Sequence, residues 1–500
     1  MVVGRCRWRL QQYGTHSVMP DAKVETNLKT AQLVPETTRW TGVDILLLST
    51  LTIVALGLRL LLIEQWSFGV VEVETFRAVT QPMDAGAAGF FASDQSRYPL
   101  AFLLLSWLLD IGALEGFTEG WLRLPFACAG CLLVPVIAVF GRPLIGRFGA
   151  CIAALLIAVH PSHIAASQSA DPLVFALTLG VAAGAALIGG LRVISLVLLL
   201  LAGGCHPVGW LCGMGMLFAA SPEARLAKIS RWAWLVLLVS TLVTVPCLLE
   251  VIGLPMLLLA AIASFLRLPA AGGARVLGLV LAALVPLVFG GSWWWMYPDD
   301  LSGFAVAALP AVALLSAWAL GRFYVRLRDQ LLRDQEHPRL SVWLLGLAPT
   351  LILLGELASI TFLYFTAFHG SRPPWRDLCD EVLRLRTPGH QVEVIAGRGA
   401  DVFRAYLRPS HWRQPDIGAG PANDPHPGVR VFDLPDGLPK LRELMALPDA
   451  LLAVECDEWR ELLQRDGAGE LVRDCMIIET LPGAKASGDQ SLYLLRNRRR

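Results

Sequence analysis

Charged residues are scarce in this chain of 500 residues: Asp, Glu, Lys and Arg together make up 17%, whereas 55% of the residues are hydrophobic. A soluble globular domain has about 25% charged residues, so this composition indicates an integral membrane protein. The formal net charge is +1, and no basic segment interleaved with aromatic residues is present. We therefore expect no nucleic-acid partner.

The sequence also lacks a convincing signal peptide and a cysteine framework. The first 39 residues are polar, and the first apolar stretch, roughly 43–63, is long enough to span a bilayer. Most of the ten cysteines lie in apolar spans without metal-ligand spacing. Cys379, Cys456 and Cys475 lie in the polar C-terminal part, where an oxidising compartment would permit one disulfide of undetermined pairing.

Apolar runs long enough for membrane helices predict about eleven crossings. They lie near 43–63, 122–141, 148–164, 171–189, 192–204, 206–220, 231–249, 251–267, 275–291, 303–321 and 341–367. With a cytoplasmic N-terminal tail, 1–39, five successive basic connections all face inward, as the positive-inside rule requires. The first loop, 64–121, then lies outside, and its short apolar run at 98–112 is predicted to be an interfacial or re-entrant helix.

The polar segment 371–500 is predicted to be an extracytoplasmic α/β domain that follows the transmembrane domain, 40–370. A helical pattern covers Trp375–Arg386. Strand candidates with alternating or continuous apolar residues follow at 392–396, 428–433, 450–455, 475–480 and 491–496.

Two acidic residues, Glu72 and Glu74, follow the first apolar span almost at once. Carboxylates at a membrane boundary are costly unless they are solvated, paired or used in function. The pair is therefore the first candidate for a functional site, with a solvated helix end as the structural alternative.

The residues around this pair resemble the integral-membrane glycosyltransferases of the GT-C fold, specifically the bacterial relatives of protein O-mannosyltransferases and aminoarabinose transferases. Those enzymes carry an Asp-Glu pair after the first span, and Val73-Glu74-Thr75-Phe76 fits that register, with Glu74 on the family's Glu. Further stretches that resemble family motifs follow in order: Arg97-Tyr98-Pro99-Leu100, Arg123-Leu124-Pro125, Gly141-Arg142-Pro143-Leu144-Ile145-Gly146, His160-Pro161-Ser162-His163-Ile164-Ala165-Ala166-Ser167-Gln168 and Asp171-Pro172-Leu173.

The resemblance implies a polytopic α-helical, GT-C-like fold in the bacterial inner membrane. It also implies an inverting transfer of a sugar from a polyprenyl-phosphate carrier to a lipid, glycan or protein acceptor at the outer face. A carboxylate would act as general base on the acceptor hydroxyl, and cationic groups would stabilise the departing phosphate. No cofactor is firmly implied, although a divalent metal is compatible with this chemistry.

The resemblance assigns the base to Glu74, with Glu72 as the alternative. It assigns the donor phosphate to Arg97 and Arg123. The chain departs from the family pattern at Val73, which stands where the family has Asp. Two other classes therefore stay open: a family member that only binds carrier lipid, and a polytopic transporter or flippase, for which the sequence shows no internal repeat.

Two further candidates, His163 and Asp171, are assigned to the substrate-binding region. Both also have structural interpretations. His160 and His163 are three residues apart near a helix end, and polar capping explains them better than a metal site that lacks a third ligand. Asp171 is expected to be the N-cap of the next helix, with Pro172 at its first position.

Overall fold

The architecture comes from a computed structural model of the chain. The described residues are 40–64, 67, 69, 72, 73, 75, 98–111, 119–220, 252, 254–265, 279, 280, 283, 301–333, 340–365, 373–386, 390–407, 428–435, 437–447, 449–465, 469, 473–482 and 491–498. Glu74 and Arg97 lie outside them, as do most of the first loop and the predicted crossing at 231–249.

The chain from residue 41 begins with a run of helices. They are α1 (Gly42–Leu60), α2 (Pro99–Ile111), α3 (Glu119–Val159), α4 (Pro161–Ser167), α5 (Leu173–Ile188), α6 (Arg192–Cys205), α7 (Pro207–Ala220), α8 (Leu254–Phe265), α9 (Leu301–Arg333) and α10 (Leu340–Leu363). In the described part of the chain, three stretches are long and apolar enough to cross a membrane: Gly42–Leu60, Glu119–Val159 and Ala305–Val325.

The long helix α3 contains a reversal at Gly146, where φ is 82°. Glycine tolerates this left-handed conformation because it has no Cβ. The two apolar segments on either side of Gly146 overlap the crossings predicted at 122–141 and 148–164, and their placement in a membrane stays a prediction. The helix α2 has 13 residues, about 20 Å at the usual helical rise, which is too short for a bilayer core of about 30 Å.

The two ends of α1 show which connections share a side of the bundle. At its start, Thr41 and Asp44 form a capping box, and Asp44 pairs with Arg147 beside the reversal in α3. At its end, Arg59 contacts the carbonyl groups of Ile157 and Ala158 at the end of α3. The loop after α1, the start of α3 and the α4–α5 turn therefore lie at one end of the bundle, opposite Gly146.

A five-stranded sheet follows the membrane helices. Its elements are α11 (Trp375–Leu385), β1 (Val392–Ala396), α12 (Ala400–Leu407), β2 (Val429–Asp433), α13 (Leu438–Met445), β3 (Ala450–Glu455), α14 (Cys456–Leu463), β4 (Cys475–Leu481) and β5 (Leu492–Asn497). The strand order is β2-β1-β3-β5-β4. Strands β2, β1 and β3 are parallel, whereas β5 is antiparallel to both β3 and β4.

Helices cover both faces of this sheet. Trp375 and Leu378 of α11 and Phe403 of α12 pack on one face, whereas α13 and α14 pack on the other. The first of these two cores continues into the membrane domain through buried side chains near its end, namely Val73, Phe102, Leu105, Leu122, Phe126 and Ala170. The C-terminal domain is therefore packed on the end of the bundle that carries Glu72 and its neighbours in 63–75, which we call the acidic loop.

All described cysteines are free thiols, including Cys379, Cys456 and Cys475. All three are buried, in α11, α14 and β4 respectively. Burial raises the pKa of the Cys379 thiol to about 12 and that of Cys475 to about 11. All three are therefore side chains of the apolar core, and no disulfide joins them.

Candidate functional site

Glu72 and Arg123 form a buried ion pair at the end of the bundle. Arg123 is 0% exposed and Glu72 is 2% exposed. Nε of Arg123 donates to Oε1 of Glu72 at 2.7 Å, and Nη2 donates to Oε2 at 2.9 Å. This parallel, two-pronged contact is the strongest geometry available to a guanidinium and a carboxylate. The two candidates, 51 residues apart in the sequence, are therefore direct partners.

Backbone groups complete the shell around this pair. The amide of Gly69 donates to Oε2 of Glu72 at 2.9 Å, and the amide of Ala170 donates to Oε1 at 3.1 Å. Each carboxylate oxygen thus accepts two hydrogen bonds, which matches its two lone pairs. Glu72 is held as an anion that connects the acidic loop to the start of α3 and to the α4–α5 turn.

Arg123 also holds the backbone of the acidic loop before Glu72. Its Nη1 donates to the carbonyl oxygen of Ile63 at 2.8 Å, and its Nη2 donates to that of Ser67 at 3.1 Å. Between α1 and this contact, Leu62 has a φ of 60°. A non-glycine residue in the left-handed region is strained and persists only where its surroundings fix it. Arg123 supplies part of that fixation.

Val73, the next residue after Glu72, is 2% exposed and belongs to the apolar core that joins the two domains. A carboxylate at this position would lie among side chains such as Phe102, Leu122 and Phe126, where an unpaired charge is costly. The departure from the family pattern therefore coincides with a packing role for this side chain. Glu74 and Arg97 lie outside the described residues, so their assignment stays a prediction.

A second buried guanidinium, Arg59, lies in the last turn of α1 and is 0% exposed. All five of its N–H groups have partners: the Ser167 hydroxyl, the carbonyl oxygens of Ala55, Ile157 and Ala158, and Nδ1 of His163. Because a guanidinium only donates, His163 Nδ1 must accept, and the proton of a neutral ring lies on Nε2. His163 is thus a partner of Arg59 in the helix junction.

The stretch 160–168 of the sequence forms this junction between helices. Gln168 donates through Nε2 to the carbonyl oxygens of Leu58, Arg59 and Leu61, and its Oε1 accepts from the hydroxyl of Tyr364 at 2.7 Å. The last turn of a helix has unsatisfied carbonyl groups, and Gln168 satisfies those of α1. This contact fixes the point where α1 ends and the acidic loop begins.

His160 and Asp171 flank the same junction. The Nε2 atom of His160 lies 3.2 Å from the carbonyl oxygen of Ile252. Asp171 accepts a hydrogen bond from the backbone amide of Leu173 at 2.9 Å, while the helix itself begins at Leu173, two residues later than Asp171. The N-cap of α5 is therefore Pro172, and the prediction of Asp171 as the N-cap with Pro172 at the first helical position is wrong by one residue, because Pro172 lies just outside the helix. Within the described ranges, no three His, Cys, Asp or Glu side chains are grouped to hold a metal.

The site contains residues that were not predicted from the sequence. Arg59 carries a recognisable signal, because a charged residue inside an apolar span marks a paired or functional position. Glu119, Arg376 and Tyr406, which connect the two domains, carry none. Arg376 and Glu119 form an ion pair across 257 residues of sequence, and nothing local distinguishes them from solvated surface residues.

Comparison with known proteins gives structural similarity only. No protein-family model matches the chain, and no curated protein matches it. The crystal structure of ArnT from Cupriavidus metallidurans bound to undecaprenyl phosphate is 13% identical, with a TM-score of 0.45 over 91% of this chain and 98% of that chain.

A second similar structure is the archaeal oligosaccharyltransferase AglB from Archaeoglobus fulgidus in complex with an inhibitory peptide and a dolichol-phosphate. It is 12% identical, with a TM-score of 0.47 over 87% of this chain and 72% of that chain. At these TM-scores and identities, neither similarity by itself assigns a reaction or a residue role to this chain.

Proposed function

We propose that this protein is a membrane glycosyltransferase that moves a sugar from a polyprenyl-phosphate donor to an acceptor at the membrane surface. One observation supports it most directly. The acidic loop that the family register selects is anchored by the buried Glu72–Arg123 pair at the end of the bundle. Burying two charges is expensive, and we infer that this pair is retained because it fixes the local geometry of the loop.

In this proposal, Glu72 and Arg123 position the loop, and Glu74 is the general base. The lone pairs of Glu72 are already used by Arg123 and two backbone amides. A general base needs a free lone pair for the proton of the acceptor hydroxyl. Glu74, two residues further along, is the acid that the anchored segment would carry to the substrate.

The proposed reaction is a single inverting displacement. The acceptor hydroxyl gives its proton to Glu74 while its oxygen bonds to the anomeric carbon of the donor sugar. The bond between that carbon and the phosphate oxygen breaks, and polyprenyl phosphate leaves with the electron pair. Arg97 is assigned to the departing phosphate, because a guanidinium stabilises the developing negative charge. The acceptor is a lipid, a glycan or a protein, and the surface is the outer face of the bacterial inner membrane.

A second candidate function is carrier-lipid binding without sugar transfer. The observation that favours it is Val73, which is buried in the apolar core at the register position where the family has Asp. A chain that had lost catalysis would keep the helical bundle and the anchored loop. It would bind polyprenyl phosphate sugars without turning them over.

The test is turnover of labelled polyprenyl-phosphate sugars by the full-length protein in lipid nanodiscs. We expect Glu74→Gln to lower turnover by ~10²–10⁴-fold, the range typical of a general base, while donor binding is retained. The exposed Glu461 of α14 provides a matched control, and Glu461→Gln is expected to leave turnover unchanged.

Two results would count against the proposal in different ways. Wild-type turnover in Glu74→Gln would remove Glu74 from the mechanism. Binding of donors without turnover by the wild-type protein, over a panel of sugars and acceptors, would replace transfer by the carrier-binding function.

A further inference from the structure

The loop before Glu72 is held by two arginines from two different domains. Arg123 of α3 donates to the carbonyl oxygens of Ile63 and Ser67. Arg376 of the C-terminal domain donates from Nη2 to the carbonyl oxygen of Glu64 at 3.1 Å. The backbone amide of Arg376 donates to the Ser67 hydroxyl at 3.2 Å. Arg123 and Arg376 therefore form hydrogen bonds to the same segment, 63–67, from two different domains.

Arg376 is itself held in place by acidic and aromatic side chains. Its Nη2 pairs with the carboxylate of Glu119 at the start of α3, and its Cζ lies 5.9 Å from the ring centre of Tyr406. The hydroxyl of Tyr406 donates to the same Glu119 at 3.0 Å. Arg376 is 33% exposed and Glu119 is 13% exposed, so this pair is less solvated than an ordinary surface pair.

Burial by itself would lower the pKa of Arg376, but Glu119 and Tyr406 raise it above the ordinary guanidinium value. The side chain is charged at every physiological pH. Its donors therefore stay available to the loop carbonyl and to Glu119 under all conditions in which the protein works.

Apolar packing between the two domains also stabilises the acidic loop. Trp375, the neighbour of Arg376, is 1% exposed and shares one core cluster with Val73 and Phe126. The acidic loop is thus fixed by hydrogen bonds at Glu64 and Ser67 and by packing at Val73. Leu62, with its φ of 60°, lies at the start of the same segment, and such a conformation needs external fixation.

We propose that Arg376 is a positioning residue through which the C-terminal domain sets the geometry of the acidic loop at its described residues, above all Glu64 and Ser67, which Arg376 contacts. This inference rests on the proposed glycosyltransferase function for its catalytic consequence. Its structural part, that Arg376 orders the loop, is independent of any reaction. Loss of Arg376 loosens the loop, misplaces the base and leaves the donor-binding region in the membrane domain intact.

The primary experiment measures hydrogen exchange of the backbone amides in 63–75 in the full-length protein in nanodiscs. Because one anchoring group of the loop is lost, Arg376→Gln is expected to raise the exchange rate of this segment about tenfold. Arg376→Lys keeps a donor and a positive charge, so it should restore most of the protection. The control is Arg384→Gln on the same helix, whose partner Glu381 is three residues away and whose side chain is 72% exposed.

A milder variant keeps the test valid if Arg376→Gln does not fold. Tyr406→Phe removes only the hydroxyl that holds Glu119, and it should raise the exchange of the segment by about twofold to threefold. If Arg376→Gln folds and exchanges at the wild-type rate, the proposal is overturned. If Arg376→Gln does not fold, a wild-type exchange rate in Tyr406→Phe overturns it. Equal increases in Arg384→Gln would also overturn it, because the effect would then be general to α11.

The catalytic part is read from steady-state kinetics of the same variants. We expect Arg376→Gln to lower kcat by about tenfold to a hundredfold with KM for the donor unchanged, since misplacement of a catalytic group by about 1 Å has effects of this size. A variant with increased exchange and wild-type kcat would overturn the catalytic role of the loop position. Absence of turnover in the wild-type protein would instead overturn the proposed function, and the exchange result would stand apart from it.

Discussion

Two arginines, Arg59 and Arg123, are both completely buried at the same end of the bundle, yet their charges are balanced differently. Arg123 meets a carboxylate in two parallel hydrogen bonds. Arg59 meets carbonyl oxygens, a hydroxyl and an imidazole, and among the described residues no carboxylate pairs with it. The charge of Arg123 is thus neutralised by a carboxylate, whereas the charge of Arg59 is stabilised by neutral polar groups.

The partners of Arg59 explain how its charge is tolerated. Two of the carbonyl oxygens, those of Ile157 and Ala158, belong to the last turn of α3. The end of a helix carries a partial negative charge of about half a unit, and it attracts a cation. Arg59 therefore binds helix ends together, whereas Arg123 binds a loop to a helix. Only the loop arrangement involves an acid, Glu72, which is two residues from the predicted catalytic residue in the sequence.

The largest effect is expected when the neutralised pair is broken. Arg123→Met leaves the Glu72 carboxylate buried with two backbone amides as partners, and removal of one member of a buried pair costs about 3–5 kcal/mol. The free energy of unfolding in detergent, measured with denaturant, checks this value. Arg384→Met, at an exposed pair, is the control and should cost less than about 1 kcal/mol.

The double variant Glu72→Met with Arg123→Met sharpens the same comparison. Replacement of both members of a buried pair by apolar side chains of similar size is often neutral. The double variant should therefore be more stable than Arg123→Met alone. If its loss of stability equals the sum of the two single losses, the two side chains are energetically independent and the pair has no special role.

A smaller effect is expected for Arg59→Met. The substitution removes a buried charge and leaves carbonyl groups and His163 without their donor, but it leaves no charge unpaired. Unsatisfied buried polar groups cost about 1–3 kcal/mol, so the loss should be clearly smaller than for Arg123→Met. The same denaturant measurement compares the two. Equal losses would mean that Arg59 balances a buried negative charge after all.

Local patterns predicted much of the C-terminal sheet. The strand candidates at 392–396, 450–455 and 475–480 coincide with β1, β3 and β4 to within a residue. Apolar alternation is a property of neighbouring residues, and turn residues punctuate it, so a single sequence contains the information. The order of the strands was not predicted, because it depends on how the connecting helices cross the sheet.

The candidate site shows where local patterns stop. Glu72 and Arg123 were both selected as candidates, but for separate roles, and their partnership across 51 residues had no signal in the sequence. The same holds for Arg376 and Glu119. Tertiary packing decides which distant charges pair, so the pairing cannot be predicted from a single sequence. The roles of Glu74 and Arg97 stay predictions.

The smallest effect is expected at Glu458 of α14, another buried ionisable residue, which lies in the C-terminal domain. It is 6% exposed, and its oxygens accept from the backbone amide of Arg398 at 3.2 and 3.4 Å. The Arg398 guanidinium pairs with Glu461 instead. Burial raises the pKa of Glu458 above its ordinary value of 4.5, although the Arg398 amide opposes this shift.

An acid with a raised pKa binds its proton more tightly in the native state than in the unfolded chain. The free energy of unfolding therefore falls as pH rises from 4.5 through the raised pKa, and the stabilisation from protonated Glu458 is lost above it. In denaturant titrations between pH 4.5 and neutrality, Glu458→Gln should reduce the fall in the free energy of unfolding. Glu443→Gln, at an exposed position, should leave that fall unchanged. A wild-type slope in Glu458→Gln would show that this buried acid, like Glu72, is already balanced by a cation.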